Sequence, residues 1–470
     1  MRLTSSPILL QKKATGAAIL AWLSPLKTTE LKNIAQATGI RNAGPKKALQ
    51  QRLRRELLRS EFVYEHSFAE EQQQQGGGGS NRQSHGRDLS ILSIDMGIQN
   101  LAFAHLLVPA RTGTVTGTAM KDSSRLTTMK PTLNAWHRIA VSALPTGTDA
   151  GSSNSNSNGD GDGQVLLPPE VFRTLATRPG QTPSLPSSNE AANEDVASTA
   201  EEAEAEAEAE AEAAAEEEEL DEGEDQTDPF SPDIYAAHAY TLLTSLIATY
   251  RPTHILIERQ RFRTGGGPAV QEWTLRVGVF EGMLYAVLHT LRRLGKCAAE
   301  VQDMDPKRIA RYWEIEKVVE EEGEEKKKNK KKTKKASPRE VKKRKIDLVG
   351  RWLQAAREEA PSPSPSQSQS ARLDIPSSSS SSSQKPSVRE VVDAFLHKWN
   401  DGKPRGSQQP KTPTNIDKLD DLADCLLQGI TWLEWQVMRE RLVREGLDAL
   451  KTTRAGNSIK RDAFADADTS

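Results

Sequence analysis

The 470-residue chain has two cysteines, Cys297 and Cys425, too few for a disulfide framework and not spaced as a metal-binding pair. That usage fits a reducing interior. No stretch approaches the roughly 18 consecutive apolar residues of a membrane span, so the chain reads as soluble, with no membrane partner. Hydrophobic residues make up 36% and aromatics only 5% of the sequence, while Ser, Ala, Glu and Lys gather in low-complexity blocks that bury too little surface to offset chain entropy. The ordered part is expected to be little over half the chain, fewer domains than the about three that length alone allows. Acids are missing from the first 29 residues, which carry Arg2, Lys12, Lys13 and Lys27. This is the bias of a mitochondrial presequence, assigned to 1–14, and equally that of an arbitrary acid-poor start. Bases are missing from residues 201–225, which hold fifteen acids, so the formal net charge of −2 conceals a basic remainder suited to a polyanionic partner.

What is present is organised around Ser90–Leu107, SILSIDMGIQNLAFAHLL. An apolar strand, Ile91 to Ile94, runs into Asp95, breaks at Gly97 and restarts as a second strand from Leu101. A carboxylate ending a buried strand is costly unless compensated, and a divalent cation is the usual compensation. The signature recurs in HILIERQ, an apolar run ending in Glu258, and in DKLDDLADCLLQGI, where Asp420, Asp421 and Asp424 open an apolar helix. Asp420 and Asp424 are four apart and Asp421 and Asp424 three apart, so either pair shares a helical face. Their mutual repulsion is only partly offset by the helix N-terminus, whereas a cation shared with Asp95 and Glu258 would offset much more. Magnesium fits, since it takes oxygen ligands and keeps waters and phosphates, with manganese as a substitute. Taken singly, each acid reads as a cap, a turn residue or a surface ion pair. The order strand-Asp, strand-Glu, helix-Asp-Asp points instead to a metal-dependent nuclease of the RNase H type.

The remaining chain supplies a scaffold for that site. Residues 15–59 read as a small helical unit, with Ile19, Leu20, Leu23 and Leu26, then Leu31, Ile34 and Ala35, at helical spacing, and a helix from Lys46 to Leu58 after the Gly44-Pro45 turn. Residues 60–87, with runs of Gln and Gly, read as a flexible linker. Trp136–Leu144 is expected to complete an antiparallel meander. Ile234–Tyr250 reads as a helix, His254–Ile257 as a buried strand, Glu272–Leu294 as a long helix with Leu275, Val279, Met283, Ala286 and Leu291 on one side, and Ala298–Val301 as a further strand. This alternation is the α/β pattern, a mixed sheet flanked by helices. Further helices are expected over Ile346–Arg357, Val388–Trp399 and Asp417–Arg444. Disordered insertions are expected at 145–228, 316–340 and 358–386, within a domain running from 88 to 450, with 451–470 a flexible tail. Residues 326–345 hold thirteen Lys or Arg and one acid; such a block could clamp a nucleic-acid backbone or serve as a nuclear-import signal.

Two resemblances sharpen the reading. LKTTELKNIAQATGIRNAGPKKALQQRL resembles a SAP domain, a helical module that generally binds duplex DNA; this implies phosphate contacts from Arg41, Lys46, Lys47 and Arg52. SIDMGIQNLAF, ILIERQRFR and KLDDLADCLLQ, with MDPKRIARYW between, resemble the motifs of fungal mitochondrial Holliday junction resolvases, the RuvC-like group of the RNase H superfamily. That family implies an RNase H-like fold and a mitochondrial, homodimeric endonuclease that nicks four-way DNA junctions symmetrically. Carried over, Asp95, Glu258 and Asp424 fill acidic positions together with Asp420 or Asp421. In that light Arg259, Gln260, Arg261 and Arg263 lie next to the Glu258 strand to hold phosphates, Thr264–Gly267 would let backbone approach DNA, Lys307, Arg308 and Arg311 form a second basic face, and Lys418 could reach the scissile phosphate. Two other classes stay open. One is a noncatalytic junction-binding protein on the same fold; the other is an actin-like phosphotransferase, which would need a second Asp-Gly phosphate loop and an adenosine Gly-Gly motif downstream, of which the sequence has no convincing copy.

Overall fold

The computed structural model of the chain describes residues 20–61, 88–97, 100–109, 130–144, 231–260, 272–315, 336–358, 372–376, 387–401, 416 and 418–450. The expected presequence, the acidic tract, most of the basic block, Arg261, Arg263, Thr264–Gly267 and the C-terminal tail lie outside the described residues.

Five strands form one sheet: β1 (Leu89–Asp95), β2 (Asn100–Val108), β3 (Thr132–Ala140), β4 (His254–Glu258) and β5 (Glu300–Met304), in the order β3-β2-β1-β4-β5. The first three are an antiparallel meander, with Asp95 opposite Ala102 and Asn100 opposite Ala140. β4 then joins β1 in parallel, Ile94 beside Ile257, and β5 joins β4 in parallel. A short connection, 96–99, joins β1 to β2 and a longer one, 109–131, joins β2 to β3, while a helical crossover makes each parallel neighbour. This is the RNase H-like sheet.

Strand alternation sends the core to both faces. Leu92, Ile94, Leu101, Phe103, Ile255 and Ile257 pack under α3 (Pro232–Tyr250) and α4 (Glu272–Arg293). Ile91, Ala102, Ala104, Leu106 and Leu256 face the opposite layer, built from α5 (Pro306–Tyr312), α6 (Pro338–Glu358), α7 (Val388–Asp401) and α8 (Leu419–Glu445). α8 is buried nearly all round, as expected of a helix trapped between a sheet and other helices. None of the described helices is long and apolar enough to cross a membrane.

The expected helices and strands are present, with corrections: the strand expected at Trp136–Leu144 is Thr132–Ala140, with Val141–Ala143 a 3-10 turn; the one expected at Ala298–Val301 is Glu300–Met304; and the first apolar stretch of the N-terminal unit gives a 3-10 turn at Ala21–Leu23. The buried face of α4 is Val277, Phe280, Leu284, Leu288 and Leu291, whereas Leu275 and Val279 are 47% and 48% exposed; several apolar residues surround this helix, so its pattern does not define a single stripe. α6 begins at Pro338, not Ile346, and so incorporates part of the basic block. A Ser337–Glu340 capping box starts it there, Ser337 N–H donating to Glu340 Oε2 at 2.8 Å and Glu340 N–H to Ser337 Oγ at 3.3 Å.

The N-terminal unit has α1 (Thr28–Ala37) and α2 (Lys46–Leu57) around Leu31, Ile34, Leu49 and Leu53. It is docked on the far half of α8, sharing its core with Met438 and Leu442. Gly39, at φ +63°, lies so close to the Trp435 ring that a Cβ there would meet ring carbon at 2.0 Å. Arg439 Nε donates to Thr38 O at 2.9 Å and Ser60 Oγ donates to Gln436 O at 2.9 Å. Residues 60 and 61, expected in the flexible linker, are thus part of this dock.

Candidate active site

β1 and β4 are parallel neighbours, so their C-terminal residues, Asp95 and Glu258, emerge at the same sheet edge. The third contribution arrives on α8, whose path across the sheet is fixed by buried polar contacts. Gln428 Nε2 donates toward Ser93 Oγ at 3.0 Å, Ile94 O at 3.1 Å and Leu256 O at 3.3 Å, and Ser93 Oγ donates to Cys425 O at 2.8 Å. Gly429 permits this approach: a Cβ there would lie 2.8 Å from Leu106 Cδ1 and 3.3 Å from Ser93 Cβ. Trp136 Nε1 donates to Leu422 O at 2.9 Å, tying β3 to the first turns of α8. One turn before Gln428 stands Asp424, and one turn before that stand Asp420 and Asp421.

The result is an acid-rich cluster. Asp95 is hydrogen-bonded to Glu258 and faces Asp424 and Asp421; burial first, then the Glu258 charge, hold its carboxyl well above the usual carboxylate range. A hydrogen bond between two carboxyl groups requires that one of them keep a proton. Burial also pushes Asp424 up to about 6, against the opposing pull of Lys345. Asp421 is raised by burial and by Asp420.

Three cations answer the helix acids one to one. Lys345 Nζ lies 2.8 Å from Asp424 Oδ2, Lys342 Nζ lies 2.9 Å from Asp420 Oδ2, and the buried Arg138 guanidinium on β3 lies 3.1 Å from Asp421 Oδ2. None of the three stands out in the sequence. Lys342 and Lys345 sit three apart on the first turns of α6, a helical spacing hidden inside a run of lysines, and Arg138 is a lone base in an apolar strand. A further acid, Glu281 on α4, accepts the Gln260 N–H at 3.2 Å and is raised by burial. The nuclease-type acids do not close into a tight ligand shell. Among the described residues, the three ligand groups found within 4.8 Å of one another are Glu61, His254 and Glu300, at the other end of β4.

The basic residues singled out in the sequence divide into groups. Arg259 is exposed, 3.9 Å from Asp303, and Gln260 Nε2 donates to Met96 O at 3.4 Å beside the acids. Lys418 is the N-cap residue of α8, next to Asp420 and Asp421. Lys307 is exposed, but the Arg308 guanidinium lies over the Trp435 ring at 5.3 Å, and Arg308 and Arg311 line a cleft against the N-terminal unit with Gln36, Gly39 and Asn42. They do not form one open basic face with Lys307. In the N-terminal unit Arg41, Lys46 and Lys47 are exposed, while Arg52 donates to Arg41 O and Ala43 O and so shapes the turn.

Comparison with known proteins adds the family. A profile described as "Mitochondrial resolvase Ydc2 / RNA splicing MRS1" matches residues 91–442. The mitochondrial cruciform cutting endonuclease 1 of Schizosaccharomyces pombe is 36% identical over 92 residues, 18% of this chain and 35% of that protein, so the alignment spans about a third of the curated relative. Among solved structures, the yeast mitochondrial Holliday junction resolvase Ydc2 is 17% identical with a TM-score of 0.40, covering 90% of this chain and 98% of that one. RuvC of Thermus thermophilus is 12% identical with a TM-score of 0.21, covering 67% and 96%. The profile runs from β1 almost to the end of α8 and takes in every carboxylate of the cluster; the chain belongs to the family of the mitochondrial resolvase Ydc2 and the RNA-splicing protein MRS1.

Proposed function

We propose that the chain is a divalent-metal-dependent endonuclease that cuts four-way DNA junctions and acts in mitochondria, as its relatives' names imply for them. The observation that carries this reading is the convergence of Asp95, Glu258, Asp421 and Asp424, from three distant segments, into one half-buried group in which Asp95, Asp421 and Asp424 are raised by burial and by neighbouring carboxylates. Desolvated carboxylates facing one another are a poor packing solution and a good cation site. Asp95, Glu258 and Asp424 would hold magnesium, with Asp420 or Asp421 as the remaining ligand. The all-oxygen donor set fits a hard cation. Bound there, the metal supplies activation of water and stabilisation of the departing oxygen.

The chain's own residues do the rest. Hydrolysis joins water oxygen to phosphorus and breaks one P–O ester bond of the strand, so the cleft must hold a phosphodiester against its own acids. Lys345, Lys342, Arg138, Arg259 and Lys418 supply the positive charge for that. Lys345 already pairs with Asp424 at 2.8 Å, so it stands beside the position a phosphate would take. Exposed Tyr240 on α3 and Leu275 and Val279 on α4 support a homodimer through that face. The exposed bases of the N-terminal unit support duplex DNA contact.

The test is incubation of the full chain with a synthetic four-way junction and with linear duplex of the same sequences, with and without magnesium. Junction-selective, metal-dependent nicks are expected. Junction binding without cutting at any magnesium or manganese concentration would instead establish a noncatalytic binding protein. Single Asp420→Asn and Asp421→Asn variants decide between the two helix positions, the ligand being the one whose loss abolishes cutting.

A further inference from the structure

The opposite end of β4 carries a second ligand set. Glu61, which follows the N-terminal unit, His254, which opens β4, and Glu300, which opens β5, present ligand atoms all within 4.8 Å of one another. His254 is 4% exposed, its ring 4.8 Å from that of Trp432, and its Nε2 lies 3.3 Å from Glu61 Oε1. The other ring nitrogen, Nδ1, lies 2.9 Å from Thr253 Oγ1. That hydroxyl already receives the Ser90 N–H and donates its one proton to Ser90 O, each at 3.0 Å. Of the two tautomers, the one with Nδ1 protonated donates to Thr253 and turns the Nε2 lone pair toward the two carboxylates, the arrangement a metal-ligating imidazole takes. A lone pair facing two anions is repulsive, and a cation between them reverses the sign.

The carboxylates are held in place too. Glu61 N–H donates to Gln436 Oε1 at 3.4 Å and the neighbouring Ser60 is anchored to the same residue. Gln302 Nε2 donates to Glu300 Oε1 at 3.0 Å, and Gln302 Oε1 accepts from Trp432 Nε1 at 2.8 Å. Arg439 is the charged neighbour of Glu300, and its Nε is already engaged by Thr38 O. One imidazole with two carboxylates, open to solvent on the exposed Glu300 side, is the donor set of a borderline-soft divalent ion such as Zn²⁺ and not of magnesium.

We propose that Glu61, His254 and Glu300 form a structural binding site for a divalent transition ion that fastens the N-terminal unit to the edge of the sheet. It lies four β-strand residues, roughly 13 Å, from the acids at Glu258, and owes nothing to the reaction proposed there.

The experiment uses the full chain carrying Asp95→Asn and Asp424→Asn, so that the acid cluster does not contribute, and follows Zn²⁺ by equilibrium dialysis with elemental analysis and Co²⁺ by visible absorption. One equivalent of Zn²⁺ is expected, with ligand-field bands in the cobalt form. Glu61→Gln and Glu300→Gln, near-isosteric changes at partly or fully exposed positions, are each expected to weaken Zn²⁺ binding at least tenfold and to remove the cobalt bands, with circular dichroism unchanged. No uptake by the parent, or uptake indifferent to both changes, would overturn the site. Because the readout is metal content, its failure is separate from any failure to cut DNA.

Discussion

The two ends of strand β4 make opposite chemical demands. At Glu258 the chain gathers five carboxylates, three of them on α8 and paired with Arg138, Lys342 and Lys345, and burial raises Asp95, Asp421 and Asp424. At His254 it gathers two carboxylates and one imidazole, with one carboxylate exposed. The first end suits a hard cation that exchanges and shares its shell with phosphate; the second suits a resident ion that only joins parts. The difference teaches that the two ends of one parallel strand can carry unlike donor sets, because each end answers to different neighbours.

The largest expected effect lies at the acid end. Asp95→Asn should lower junction cutting by roughly a thousandfold or more, the several kcal/mol that a catalytic cation supplies, while junction binding measured by gel shift persists; Glu300→Gln should leave cutting unchanged. Equal loss from both would erase the distinction between the ends. Next comes the helix that sets the acid end. Gly429→Ala forces a methyl into Leu106 and Ser93 and should cost about 1–3 kcal/mol by overpacking, read as a lower urea midpoint; no change would mean that α8 can slide on the sheet.

The smallest effect is a pH dependence confined to the acid end. Asp424 is raised to about 6 when folded, and Asp95 is raised as well. The folded chain therefore takes up protons before the unfolded chain does, so metal-free stability should rise, on the order of 1 kcal/mol, as pH falls from 7.5 to 5.5. It should level off below the unfolded carboxylate pKa. Denaturant midpoints in chelator at the two pH values check this, with Asp424→Asn flattening the slope. Magnesium should reverse the trend, because ligand carboxylates must be ionised.

β1 and β4 are legible because their β-branched runs stop at a charged residue, and an acid at the end of an apolar strand is conspicuous: Asp95 and Glu258 can be singled out from sequence and the fold brings them together, whereas β3 and β5 are displaced from their expected bounds. α8 was legible for the same reason. Less visible was anything decided by partners far along the chain. Arg138 meets Asp421 across 283 residues, and the α4 face is settled by which of several apolar stripes the sheet accepts. The start of α6 was masked by lysines whose charge suggests disorder until Ser337 and Glu340 cap the helix. Glu61 and His254 carry no local signal, since their meeting depends on the N-terminal unit docking on α8.

That docking has a geometric result. The same continuous helix bears Asp424 near one end and, at Met438 and Leu442, the seat of the N-terminal unit near the other. At 1.5 Å per residue, the axial span from Asp424 to Leu442 is roughly 27 Å. A single rigid rod thus fixes the distance between the acid cluster and the N-terminal unit, so whatever those two parts touch is held at one spacing.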